Sequence, residues 1–372
     1  MSRIPLLFLI LIPFNLFASD LSELSLEEKV GQLFMVYFEG ERANENSLKL
    51  LQEAKVGGIV LYKWANKLEG PVEVQKLCFE LQEDAMRYVG IPLFIAVDQE
   101  GGRVNRLQEG FTKFPSNQTL AESNNPKLAF EAAFAMGKEL LSVGVNFNLA
   151  PVVDVNSNPK NPVIGTRSYG SDPKVVTEFG RESLKGYKRV GIISCLKHFP
   201  GHGDVTVDSH EVLPYVSKPL SELLTVELYP FANLVKEAPA IMTAHILFSE
   251  IDPVNPATLS KKILEDLLRK QLGFEGVIVT DSLVMQGILQ GHKNLEEVVF
   301  KAIEAGSDIL LIGGRGLQGA IDGEAHVDEI VAICRSVVSA VKEGRISEER
   351  IDASLKRILE LKRELIFPIK IK

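Results

Sequence analysis

Eight short apolar runs, rich in β-branched residues, recur along the chain, and helical spacing fills the gaps between them. The runs cover residues 33–38, 56–62, 93–97, 145–150, 192–196, 240–244, 276–280 and 308–312. Helical periodicity covers 46–55, 71–87, 126–141, 173–189, 221–236, 261–271 and 296–305, with Pro230 as a break in the fifth segment. Ser25 and Glu28 form a capping-box pattern for a short opening helix. Two closing helices fit 326–343 and 347–364, with Gly344 as the stop between them. Near-continuous apolar strands are those of a parallel sheet covered on both faces. Eight alternating units therefore predict an α/β fold, a (β/α)8 barrel of the TIM type, in a single domain. An open doubly wound sheet is the competing architecture. It would carry a Gly-rich phosphate turn after an early strand, and neither GxGxxG nor a P-loop pattern occurs.

A barrel gathers the residues at the carboxyl ends of its strands into one cleft. Those ends here are polar: Asp98, Asp154, Lys197 with His198, His245 and Asp281. A charged group placed directly after an apolar strand is costly unless it is paired or used. After the fifth run comes a polar stretch, Lys197 to His210, that holds three of the chain's six histidines.

Composition changes this picture little. The chain has 372 residues, 45% hydrophobic and 24% charged, which suits a large globular core. A net charge of −8 without a basic run argues against nucleic-acid partners. Cys78, Cys195 and Cys334 show no CxxC spacing and read as buried free thiols. Residues 1–19 have a basic start and a short apolar run broken by Pro5 and Pro13, the pattern of a secretory signal. The expectation is a signal peptide over 1–19 and a catalytic barrel over 20–372, exported to the periplasm. An uncleaved anchor or a cytoplasmic location is the alternative. No later segment is long enough to span a membrane, so the mature protein is expected to be soluble, and a monomer is expected.

The candidate chemistry is acid–base and nucleophilic. Asp281, leaving the seventh strand, is a candidate nucleophile or a helix N-cap. His210 suits proton transfer near neutral pH, and Asp208 could orient it; the competing reading is a merely solvated loop. Gly201 and Gly203 would let that loop swing. A metal site from His198, His202, Asp204 and His210 competes, but no HExxH-like spacing supports it. Lys197, His198, and Asp98 with Arg103 or Arg106 beyond the Gly101-Gly102 turn could hold sugar hydroxyls, or form rim ion pairs. Arg167 is a further loop arginine, and Trp64 a stacking face or a packing residue. Glu100, His245 and Asp154 read as groups that orient their neighbours.

Five blocks in order, Asp98-Gln99-Glu100-Gly101-Gly102-Arg103, Gly165-Thr166-Arg167-Ser168, Lys197 to Gly203, Asp208-Ser209-His210 and Thr280-Asp281-Ser282-Leu283, resemble the β-N-acetylhexosaminidases of glycoside hydrolase family 3. More narrowly, they resemble the bacterial single-domain type of cell-wall recycling. The resemblance implies a retaining mechanism with Asp281 as nucleophile and His210 as acid/base, Asp208 completing the dyad. It implies that Asp98, Arg106, Arg167, Lys197 and His198 bind N-acetylglucosamine and that no cofactor or metal is used. The implied partner is a small carbohydrate, a muropeptide or a chitin-like oligosaccharide. Ser282 departs from the family's frequent second aspartate. A β-glucosidase or β-xylosidase on the same barrel, and a non-catalytic sugar-binding protein of the envelope, are the alternatives.

Overall fold

The computed structural model describes residues 21–313 and 325–366; the signal expected over 1–19 lies outside them. The opening helix Leu26–Gly31 starts in the predicted capping box, with Ser25 Oγ accepting from the Glu28 amide. Eight parallel strands then follow: β1 Phe34–Val36, β2 Gly58–Val60, β3 Phe94–Val97, β4 Phe147–Asn148, β5 Ile193–Phe199, β6 Ala240–Thr243, β7 Val277–Val279 and β8 Leu310–Ile312. Each pairs with its sequence neighbour, and β1 also pairs with β8 through Phe34 and Leu310. The last gap is bridged where Val279 meets Ile309 and the Thr280 amide donates to the Ile309 carbonyl at 2.9 Å. The sheet therefore closes into the predicted barrel. Every residue of these strands is buried, which is why the runs are apolar throughout and do not alternate.

Helices Pro71–Tyr88, Lys127–Ser142, Pro173–Val190 and Leu295–Ala305 lie within a residue or two of the periodicity. The 221–236 segment is instead two short helices, Leu220–Leu223 and Tyr229–Leu234. Pro230 sits in the first turn of the second, where its missing N–H costs nothing. The closing helices are Val327–Lys342 and Glu348–Ile366, separated by Gly344 at φ +73°.

The last helix is tied to the amino-terminal end of the barrel. Asp308, fully buried just before β8, accepts from Ser354 Oγ at 2.6 Å, Arg357 Nη1 at 3.0 Å and the Ile278 amide at 2.9 Å. Lys362, also fully buried, donates to Gln32 Oε1 and the Gly57 carbonyl, each at 2.8 Å. The three cysteines are free and buried, as expected. Among the described residues, no helix is long and apolar enough to cross a membrane.

Candidate active site

The carboxyl ends of the strands surround a cavity of about 590 Å3, and all eight candidate site residues border it. They come from the ends of β3, β5 and β7 and from the loops after β3, β4 and β5, so the barrel brings together groups 183 positions apart, from Asp98 to Asp281.

Lys197 and His198 do not stand at a strand-to-loop junction, as the apolar run suggested. They lie inside β5, which continues to Phe199. The physical reason is pairing. Lys197 Nζ lies 2.8 Å from Asp98 Oδ1 and 2.7 Å from Glu100 Oε1. Burial lowers the lysine's proton affinity, but Asp98 and Glu100 outweigh it and hold the ammonium above its ordinary range. With its charge compensated, the residue stays in the ladder, and its carbonyl accepts from the Val153 amide at 2.9 Å.

Glu100 also takes Arg167 in a two-pronged pair, Nε to Oε2 and Nη2 to Oε1, both 2.8 Å. Burial raises the glutamate's proton affinity, yet Arg167 and Lys197 bring its carboxyl well below the usual carboxylate range. Arg106 Nη2 is 3.7 Å from Asp98 Oδ2. Arg103 is engaged elsewhere: its guanidinium donates to the carbonyls of Val163 and Ile164 and pins the loop that carries Arg167.

Asp154 orients His198. Its Oδ2 lies 2.7 Å from His198 Nδ1, and its Oδ1 accepts from the amides of His198 at 3.1 Å and His202 at 2.7 Å. A carboxylate at that position draws the ring hydrogen to Nδ1 and leaves Nε2, 3.3 Å from Arg167 Nη2, as an acceptor.

Asp281 accepts from the Ser282 amide at 2.7 Å. Burial pushes its carboxyl up, but His245, His198, His210 and that amide together bring it down to about 2, so it is ionised at neutral pH. It does not cap a regular helix: the next helix begins only at Gln286. His245 is buried behind it, with Nε2 at 2.9 Å from the Ser282 carbonyl and Nδ1 at 2.8 Å from Thr258 Oγ1. The carbonyl can only accept, so Nε2 carries the hydrogen. Ser282 Oγ donates to the Gly313 carbonyl and accepts from the Gly313 amide at 3.3 Å, joining the ends of β7 and β8.

In the loop, Asp208 Oδ1 accepts from the His210 amide at 2.8 Å and lies 2.7 Å from His210 Nδ1. The expected glycine hinge is not what Gly201 and Gly203 provide. A Cβ on Gly203 would sit 1.6 Å from the Val155 carbonyl oxygen, and one on Gly201, at φ +135°, would sit 2.7 Å from Glu227 Cβ. These glycines allow close backbone packing, and the start of the loop is fixed.

Nor do the four residues of the metal reading converge. His198 faces Asp154 and Arg167, His202 faces Ser209, Asp204 pairs with Lys218 and His210 with Asp208. Among the described residues, no group of His, Cys, Asp and Glu is placed to hold a metal ion. Sequence reasoning missed Tyr62, which borders the cavity beyond β2 and stacks on Trp64 with ring centroids 5.7 Å apart. Its place as the last, polar-tipped residue of the apolar run 56–62 was the available signal.

An eight-stranded parallel barrel with a polar cavity at the carboxyl ends of its strands has the architecture of the α/β-barrel enzymes. The chain belongs to glycoside hydrolase family 3: the model of the Glycosyl hydrolase family 3 N terminal domain matches residues 25–361. Beta-hexosaminidase A of Pseudoalteromonas piscicida is 38% identical over 336 residues, 85% of this chain but 55% of that protein. The Beta-hexosaminidase of Psychromonas ingrahamii is 37% identical over 281 residues, 73% of this chain and 80% of that protein. Among solved structures, a family 3 beta-N-acetylglucosaminidase from Paenibacillus sp. str. FPU-7 superposes with a TM-score of 0.87 at 41% identity, covering 94% of this chain and 64% of that one. The chain thus spans little more than half of the first of these relatives and under two thirds of the Paenibacillus chain.

Proposed function

We propose that this protein is a retaining exo-β-N-acetylglucosaminidase that removes terminal N-acetylglucosamine from peptidoglycan fragments or chitin-like oligosaccharides. The observation that carries the proposal is the Asp208–His210 contact of 2.7 Å on a loop bordering the same cavity as the ionised Asp281. The chemistry requires both halves. Asp281 attacks C1 of the sugar while protonated His210 donates to the departing glycosidic oxygen, giving a covalent glycosyl-enzyme. Water then attacks C1 as His210 takes its proton, releasing the sugar and restoring the Asp281 carboxylate. Asp98, Arg106, Arg167, Lys197 and His198 hold the N-acetylglucosamine unit, their charges paired in advance so that little reorganisation is needed.

Relatives named beta-hexosaminidase and beta-N-acetylglucosaminidase support this substrate class. The test is hydrolysis of p-nitrophenyl N-acetyl-β-glucosaminide against the plain β-glucoside. The N-acetylated substrate should dominate, and Asp281→Asn should lower its turnover by a factor on the order of a thousand or more. Preference for the plain glucoside, or full activity in Asp281→Asn, contradicts the reading. Export to the periplasm belongs to the same proposal and rests on the pattern of residues 1–19; recovery of the protein only in the cytoplasmic fraction would overturn it.

A further inference from the structure

Ser209 stands between Asp208 and His210 in a surface loop, yet it is only 1% exposed. Its hydroxyl lies 2.8 Å from Nε2 of His202, which is equally buried. The other ring nitrogen of His202 has no hydrogen-bond partner, and the ring packs edge-on to His198 with centroids 5.6 Å apart. The backbone around His202 is held firmly. Its amide donates to Asp154 Oδ1 at 2.7 Å, and its carbonyl accepts from Asn161 Nδ2 at 2.7 Å. His202 is therefore a fixed post, rooted in the same carboxylate that orients His198.

Opposite this post the loop rests on the helix after Asp281. A Cβ on Gly287 would lie 2.3 Å from the Ser209 carbonyl oxygen and 2.8 Å from that of Val212. Gln290 Nε2 donates to the Glu211 carbonyl at 3.0 Å. Around Ser209 itself apolar burial does little, since Val207 and Val212 are 39% and 40% exposed and the buried apolar anchor of the loop, Val205, lies four residues earlier. What fixes Ser209 is a close backbone seat on one side and one side-chain hydrogen bond on the other.

We propose that the Ser209–His202 hydrogen bond is the latch that seats the loop over the cavity, which makes both residues positioning residues for proton transfer by His210. The proposal rests on the reading of His210 as acid/base. Burial, and then the neighbouring His198, bring His202 down to about 4, so the ring stays neutral in the working range. A hydrogen bond between two neutral groups shifts the equilibrium between seated and released loop by roughly two- to tenfold. That is enough to favour the seated loop and small enough to release it for substrate entry and product exit.

Ser209→Ala removes the hydroxyl and leaves Asp208, His210 and the Gly287 seat in place. Protonation matters for a poor leaving group and hardly at all for an acidic phenol. Ser209→Ala should therefore lower kcat/KM about tenfold for the phenyl N-acetyl-β-glucosaminide and less than about twofold for the 2,4-dinitrophenyl one. His202→Phe should show the same leaving-group dependence, and the double variant should be no worse than the weaker single variant. An equal loss on both substrates, or no loss, in Ser209→Ala overturns the latch, as do additive losses in the double variant. Should His202→Phe fail to fold, the two-substrate comparison of Ser209→Ala decides alone. His210→Ala measured alongside separates the two ideas. Leaving-group dependence there but not in Ser209→Ala removes only the latch; its absence from His210→Ala removes the acid/base reading and the latch with it.

Discussion

Arg167 grips Glu100 through two parallel hydrogen bonds of 2.8 Å, and the same carboxylate lies 2.7 Å from Lys197. One buried glutamate thus pairs with two cations, Arg167 and the Lys197 that Asp98 also holds. Glu100→Gln would leave Arg167 without its carboxylate and Lys197 with Asp98 alone, and breaking such a pair from one side costs about 3–5 kcal/mol. Urea unfolding at pH 7 should report a loss of that order. The sign of the pH dependence follows from the lowered carboxyl: the stabilisation is present above its unfolded value near 4.5 and is lost as pH falls below that. Between pH 6 and pH 3.5 the variant should therefore lose less stability than the parent protein.

Asp208 and His210 should behave as one unit. Asp208→Asn keeps the shape of the loop but removes the negative charge beside the imidazole. Turnover of a substrate with a good leaving group should then be limited by hydrolysis of the glycosyl-enzyme, which needs a base. Added azide, a nucleophile that needs no base, should speed the variant several-fold and yield a β-glycosyl azide. The parent enzyme should not respond.

Ser282 joins the ends of β7 and β8 through both backbone groups of Gly313. Ser282→Ala leaves a buried carbonyl without its donor, at a cost of about 1–3 kcal/mol. Ser282→Asp should cost more, because it also places a buried carboxylate against that carbonyl oxygen. Denaturant midpoints of the two variants give the order directly.

Lys362 is buried against Gln32, the Gly57 carbonyl and the Phe94 ring, and burial holds its proton affinity well below the usual value. The unfolded chain then binds more protons than the folded one across the alkaline range. Stability should rise with pH toward the ordinary lysine value of 10.5. Lys362→Met should abolish that rise, and unfolding measured between pH 7 and 10 would show it.

The barrel was legible because its strands are buried on both faces, so each left an unbroken apolar run at the right spacing. The site was legible where polar residues stop such a run, as at Asp98 and Asp281. The extension of β5 through Lys197 and His198 was not. Its partners Asp98 and Asp154 lie 99 and 44 positions away in sequence, and only the closed barrel puts them within 2.8 Å. The tight seats of Gly201 and Gly203 were hidden for the same reason, since Glu227 and Val155 meet them only in the fold. A glycine's need for space and its freedom to bend look alike in a sequence.

The proposed retaining mechanism requires that Asp281 become covalently glycosylated. A 5-fluoro analogue of N-acetylglucosaminyl fluoride should accumulate as a glycosyl-enzyme, visible as one added sugar in the intact mass. Peptide mapping should place the label on Asp281. A label on another residue, or turnover of N-acetyl-β-glucosaminides with no labelling at all, would contradict the account.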